Sequence, residues 1–159
     1  MTTKSHKIDQ FNYRVKPISA EETYAVRQPV LRAGRPIEDC VFEGDKLAST
    51  CHLGLFYKET IIGVATYIKN KNAVFPEELQ YQLRGMAILK NHQQKGLGAL
   101  LIQAGEAKLL KMKVDRLWFN AREVATKFYT NHGYQIEGDS FNIESIGIHF
   151  LMTKKLFYL

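Results

Sequence analysis

Cysteine and proline are scarce in this chain. Cys40 and Cys51 are the only cysteines, and proline occurs four times in 159 residues. Two thiols cannot build a disulfide framework or a four-thiolate zinc site. No block of five like charges, internal repeat or Pro/Gly/Ser-rich linker interrupts the sequence, so nothing marks a domain boundary. The longest apolar stretches, around Ile61–Ile68 and Leu97–Ile102, fall far short of the ~20 residues of a membrane span. The first residues, MTTKSHKIDQFNYRV, lack the apolar run of a secretory signal. These absences predict a soluble, cytoplasmic protein in a reducing compartment, with no membrane partner.

What is present suits a folded domain. Hydrophobic residues make up 45% and charged residues 24% of the chain, too apolar a mixture for a disordered segment. A chain of this length buries roughly two thirds of its unfolded surface and needs no staples, so residues 1–159 read as one domain. Lys and Arg number 22 against 16 acidic residues, a net charge of +6. That field favours anionic partners: nucleic acid, an acidic surface or a phosphorylated small molecule. The basic residues are spread along the whole chain, which weighs against nucleic acid.

Hydrophobic period and turn residues divide the chain coarsely. Tyr13–Ile18 reads as a short strand. Ser19 is a natural N-cap, with Glu21 and Glu22 in the first turn of a helix reaching about Arg32. Gly34, Pro36 and Gly44 mark an irregular loop. Thr50–Tyr57 and Ile61–Lys69 predict an antiparallel hairpin around Lys58, Glu59 and Thr60. After a loop at Lys71–Glu78 comes a buried strand, Tyr81–Leu89, and then the clearest helix, Gly96–Met112. Its apolar face is predicted from Leu97, Leu100, Leu101, Ala104 and Ala107. Val114–Asn120 reads as a strand and Glu123–Asn131 as a helix stopped at Gly133. Tyr134–Glu137 and Ile146–Leu156 read as the last strands. The order β-α-β-β-β-α-β-α-β-β, with hairpins at both ends and crossovers between, predicts a mixed α/β sheet.

One segment carries chemistry. Gln93-Gln94-Lys95-Gly96-Leu97-Gly98 lies between a buried strand and an amphipathic helix. Without Cβ atoms, Gly96 and Gly98 let backbone approach a ligand closely. The first N–H groups of the helix lack intrahelical acceptors and, with the helix dipole, suit a phosphate or pyrophosphate. Lys95 adds a full charge. The Walker A pattern is absent, and Leu101 stands where the dinucleotide fingerprint needs its third glycine. A lone GxG at a helix start is also compatible with a plain tight turn.

Leu83–Leu101, LRGMAILKNHQQKGLGALL, resembles motif A of the GCN5-related N-acetyltransferase (GNAT) superfamily: a strand ending in small apolar residues, a polar turn, then Q/R-x-x-G-x-G/A opening a helix. Gln93, Gly96 and Gly98 match it, as do Ala87 and Ile88 at the strand end. Trp118–Tyr134 resembles the second motif, A-x-x-F-Y-x-x-x-G-F/Y, through Ala125, Phe128, Tyr129, Gly133 and Tyr134. Phe141–Lys154 resembles the C-terminal strand of one branch of the family. Lys90 replaces a common proline and Arg122 a common asparagine, so the asparagine's role is not carried over to Arg122.

The resemblance implies a single GNAT-like domain with a mixed, mostly antiparallel sheet of about seven strands, flanked by helices and splayed at its centre. It implies an acyltransferase that moves an acetyl group from acetyl-CoA to a primary amine. No His/Cys/Asp/Glu cluster has metal-ligand spacing, and Cys40 and Cys51 read as inert thiols, so direct transfer without a metal or an acyl-enzyme is expected. In that scheme the backbone from Gln94 to Ala99 (Gln94, Lys95, Gly96, Leu97, Gly98, Ala99) holds the pyrophosphate. Met86, Ala87 and Ile88 pair with the pantetheine arm, the Ile88 N–H meets the thioester oxygen, and Tyr129 is the general acid for the departing thiolate. Asp45, His52, Glu78, Glu144 and His149 are the open candidates for the base. Arg27, Arg32, Arg35 and Asp45 lie in the segments that meet acceptors. Gly63 and Gly133 read as packing or turn glycines, Trp118 and Phe119 as core, and Lys95 and Lys127 as solvated or phosphate-facing. A homodimer is compatible with this reading. The alternative is a non-catalytic acyl-CoA-binding or regulatory module.

Overall fold

The computed structural model describes residues 12–156. Most of the N-terminal stretch examined for a secretory signal, residues 1–11, lies outside the described residues. The elements are β1 (Tyr13–Pro17), α1 (Tyr24–Leu31), β2 (Cys51–Tyr57), β3 (Thr60–Lys69), β4 (Gln80–Ile88), α2 (Gly98–Lys111), β5 (Arg116–Arg122), α3 (Thr126–Asn131), β6 (Gln135–Ile143) and β7 (Gly147–Lys155). Seven strands form one mixed sheet in the order β1-β2-β3-β4-β5-β7-β6, as expected. No helix among the described residues is long and apolar enough to cross a membrane.

The residues group into two compact units, one running up to Ile68 and adding Arg84–Gly105, the other comprising Lys69–Leu83 and the residues from Glu106 on. In the first, β1 pairs antiparallel with β2, and β2 with β3 around a turn where Lys58 has φ +53°. Ser19 makes reciprocal bonds with Glu22, its N–H donating to Glu22 Oε1 at 3.0 Å and its Oγ accepting the Glu22 N–H at 3.2 Å, but the N-cap positions fall at Ala20 and Thr23. A 3₁₀ turn, Glu21–Thr23, precedes α1. Val26, Val64 and Ala87 form a core onto which Ile18, Val30, Leu31, Ile61 and Leu89 pack.

The second unit holds β5–β7 pairing over seven residue pairs and a β6–β7 hairpin with a register shift between Glu137 and Phe141. Parallel pairing of β4 with β5 covers only Gln80–Gln82 against Arg116–Trp118. Trp118 and Phe119 are core residues, as expected.

Several features differ from the sequence reading: β6 runs Gln135–Ile143 in place of the expected Tyr134–Glu137, and α1 begins at Tyr24, after a 3₁₀ turn, not directly after Ser19. Helix α2 begins at Gly98, not Gly96, because Gly96 sits at φ +73°, outside the helical region. Strand β5 begins at Arg116, not Val114: Lys113 has φ +60° and the Val114 N–H donates back to the Leu109 carbonyl, closing the helix instead of opening a ladder. The buried stripe of α2 runs through Leu101, Ile102, Gly105 and Leu109, while Ala107 is exposed. Gly105 is the reason: the Tyr67 ring lies where a Cβ would stand, and the Tyr67 hydroxyl donates to the Leu101 carbonyl at 2.9 Å.

Candidate active site

The turn between β4 and α2 is built to leave donors open. His92 N–H donates to Leu89 and Gln93 N–H to Lys90. The next N–H with a carbonyl acceptor is Leu100, which donates to Leu97. The N–H groups from Gln94 to Ala99 thus have no carbonyl acceptor among the described residues. Gln94 (φ +63°) and Gly96 (φ +73°) are both left-handed, a backbone pattern that gathers successive N–H groups into an anion-binding concavity. Gln94, Lys95 and Gly96 are exposed, while Leu97 is buried and anchors the turn. Gln93 is exposed too, and its amide is already used: Nε2 donates to the Ile88 carbonyl at 2.8 Å. It holds the turn against the strand end.

The end of β4 offers a second open edge. Leu89 N–H donates to the Ile62 carbonyl of β3 at 2.8 Å. Successive backbone groups on a strand point to opposite edges, so the Ile88 N–H faces away from β3. Met86 and Ile88 are half-buried and Ala87 is buried. Gly85, at φ +60°, breaks the strand's regular path just before them. A Cβ there would stand 2.7 Å from Phe42 Cε2. Gly63 fits the packing role expected of it: a Cβ would meet Ile88 Cδ1 at 2.6 Å.

Tyr129 is buried in an aromatic cluster of the second unit. Its ring centroid is 4.3 Å from Phe119, 5.1 Å from Phe128 and 6.0 Å from Tyr134. Burial pushes its phenol up to about 12, because the surrounding rings cannot solvate a phenolate. The phenol is therefore protonated throughout neutral pH. Gly133, at φ +90°, ends the α3 segment as predicted.

The acceptor-side expectations change most. Arg27 is fully buried and forms an ion pair with Asp45, Nη1 to Oδ2 at 2.6 Å and Nη2 to Oδ1 at 3.0 Å. It also donates to the Cys40 carbonyl at 2.9 Å and Thr66 Oγ1 at 2.8 Å. His52 joins the same network through Thr66 Oγ1 and the Asp45 carbonyl, at 2.8 and 2.7 Å. Arg27, Asp45 and His52 are tied into one buried network, in which both Nη atoms of Arg27, the Asp45 carboxylate and both His52 ring nitrogens have partners. Glu78 pairs with Lys71 at the surface, and Glu144 is exposed in the β6–β7 turn. His149 is buried, with Nδ1 2.8 Å from the Gly147 carbonyl and its ring stacked on Phe141. Arg122, Lys95 and Lys127 are exposed, and Arg35 pairs with Asp39. Cys40 is buried, and the Cys51 thiol donates to the Ser49 carbonyl at 3.8 Å.

Two structural features escape sequence reading: the Gly85 kink and the convergence of Arg27, Arg32 and Arg84 on Phe42, at 3.9, 5.2 and 5.3 Å from the ring centroid. These residues are scattered through the chain, and no periodicity links them.

A sequence model of the "Acetyltransferase (GNAT) family" matches residues 15–134. The chain is 37% identical over 142 residues to the uncharacterized N-acetyltransferase YitI of Bacillus subtilis (strain 168), covering 89% of this chain and 95% of that protein. Its fold is similar to a crystal structure described as a putative N-acetyltransferase from Lactobacillus plantarum (TM-score 0.73, 17% identity, 91% of this chain and 99% of that one). It is also similar to a GNAT family acetyltransferase from Elizabethkingia anophelis with acetyl-CoA bound (TM-score 0.65, 16% identity, 91% and 99%). The family model spanning residues 15–134 and the 37% identity over 142 residues make this chain a member of the acetyltransferase (GNAT) family.

Proposed function

We propose that the chain works as one domain that transfers an acetyl group from acetyl-CoA to a primary amine by direct attack in a ternary complex. The observation that carries this reading is the run of open N–H groups from Gln94 to Ala99 at the start of α2. They would hold the donor's pyrophosphate, with Lys95 as a solvated counter-charge. The edge of β4 at Met86–Ile88 would pair with the pantetheine arm, and the outward Ile88 N–H would meet the thioester oxygen as negative charge develops there.

The amine nitrogen attacks the thioester carbon, a C–N bond forms and the C–S bond breaks. Tyr129 serves the departing sulfur in this reading. With its phenol at about 12, complete transfer to a thiolate of ordinary basicity, roughly 8.5, is uphill. Tyr129 therefore stabilises the thiolate by donating a hydrogen bond and keeps its own proton, and the thiolate takes a proton from solvent as coenzyme A leaves. The amine sheds its proton to solvent, since Asp45 and His52 are held in the buried network.

Calorimetric titration with acetyl-CoA, followed by free-thiol release over a panel of amines, tests this. Saturable binding with thiol release on at least one amine is expected. Saturable binding with no release on any amine would instead indicate a binding module. No saturable binding would remove the pyrophosphate role of the turn.

A further inference from the structure

Phe42 lies at the meeting point of three guanidinium groups. Arg27 covers it at 3.9 Å, Arg32 lies at 5.2 Å and Arg84 at 5.3 Å from the ring centroid. Arg27 is neutralised by Asp45, and neighbouring Arg35 by Asp39. Arg32 and Arg84 are not: among the described residues neither forms an ion pair, and the Arg32 guanidinium donates only to the Leu31 carbonyl. Both are half-buried. Two unneutralised cations held against one ring repel each other, and a ring's quadrupole offsets only part of that cost. A third sign points the same way. Nε of Arg27 is a fully buried donor with no acceptor, and it lies 3.5 Å from the point where a Cβ of Gly85 would stand. Gly85 directly follows Arg84 on β4.

We propose that Arg32 and Arg84, with Phe42 as floor, form a subsite for the carboxylate of an amino-acid-type acceptor. This inference rests on the acetyl transfer proposed above. The planar forks of two arginines match a carboxylate in shape and charge. Arg84 lies four residues before Ile88, where the thioester is placed, about 13 Å along a regular strand, a span that the arginine side chain and the acceptor bridge together. Polycationic amines are disfavoured by the same two charges.

The test measures thiol release and, separately, thermal stabilisation of the coenzyme A-mixed protein. The probes are the twenty amino acids, their matching amides, phosphoethanolamine and spermidine. At least one amino acid should be used or bound about tenfold or more better than its amide. Arg84→Gln and, independently, Arg32→Gln should bring that ratio close to one, while Arg84→Lys restores only part of it. Amides or spermidine used equally well overturn the subsite, as does a preference that survives both Gln variants. The absence of any carboxylate preference in either readout overturns it too. A preference for phosphoethanolamine over every amino acid overturns the carboxylate assignment. Failure of acetyl-CoA to bind, read in its own titration, counts against the acetyltransferase reading and is separable, because the stabilisation readout needs no turnover.

Discussion

Asp45→Asn removes a charge and little else in volume. The carboxylate accepts Arg27 Nη1 at 2.6 Å, Arg27 Nη2 at 3.0 Å and the Phe42 N–H at 2.9 Å. Asn keeps one acceptor oxygen but turns the other position into a donor facing a guanidinium. Arg27 is fully buried, so its charge is left without a counter-ion. Breaking a buried pair in this way costs about 3–5 kcal/mol. The Cys40 carbonyl and Thr66 hydroxyl remain as acceptors, which places the cost near ~3 kcal/mol on that scale. For a chain of this size that is a fall in Tm of about 6–12 °C. With a urea m-value of about 2 kcal/mol/M the midpoint drops by ~1.5 M. Urea unfolding followed by far-UV circular dichroism measures it. The double variant Arg27→Met with Asp45→Leu should regain most of the loss, because it deletes both charges and keeps the volume apolar. A loss below about 1 kcal/mol for Asp45→Asn, or no recovery in the double variant, would refute the reasoning.

Tyr129→Phe should lower kcat by about 100-fold or more, with the KM for acetyl-CoA little changed; unaffected turnover would make Tyr129 a packing residue. In an alkaline absorbance titration, the difference between wild type and Tyr129→Phe should show a phenol ionising at about pH 12, well above an exposed tyrosine. Gly98→Trp should abolish acetyl-CoA binding in calorimetry while circular dichroism stays native, and unchanged affinity would remove the close-approach argument for the turn. Glu77 accepts Arg116 Nε at 2.8 Å and Nη2 at 2.7 Å, both side chains being largely buried, and that bond holds its carboxyl below the usual value of 4.5. A lowered folded-state value means the stabilisation is present above about pH 4.5 and fades as pH falls through the folded value. Glu77→Gln should therefore cost about 2 kcal/mol at pH 7, with the gap to wild type closing in urea titrations below pH 4.

Local chemistry made much of this protein legible. Ser19 followed by Glu22 marks a helix start wherever it occurs, and the reciprocal bonds form. Gly96 and Gly98 after a buried strand announce a turn with free donors, and Gly133 announces a helix end. These signals act within a few residues, so the chain order alone carries them. They extended to the order of elements and to the family.

The boundaries and charge roles were settled elsewhere. Nothing local says that Val114 closes a helix rather than opening a strand, because Leu109 and Val114 compete through backbone bonds, not side-chain pattern. Nothing local says that Gly105 is buried and Ala107 exposed, because the Tyr67 ring chooses between them. Asp45 and His52 read as plausible bases until Arg27, Phe42 and Thr66 close around them. A titratable side chain looks the same in sequence whether its polar atoms are spent or free, since the partners that decide it come from distant segments. The sequence determined which backbone N–H groups would stay open at the start of α2; only tertiary structure decided which charges among the described residues remained without an ion-pair partner.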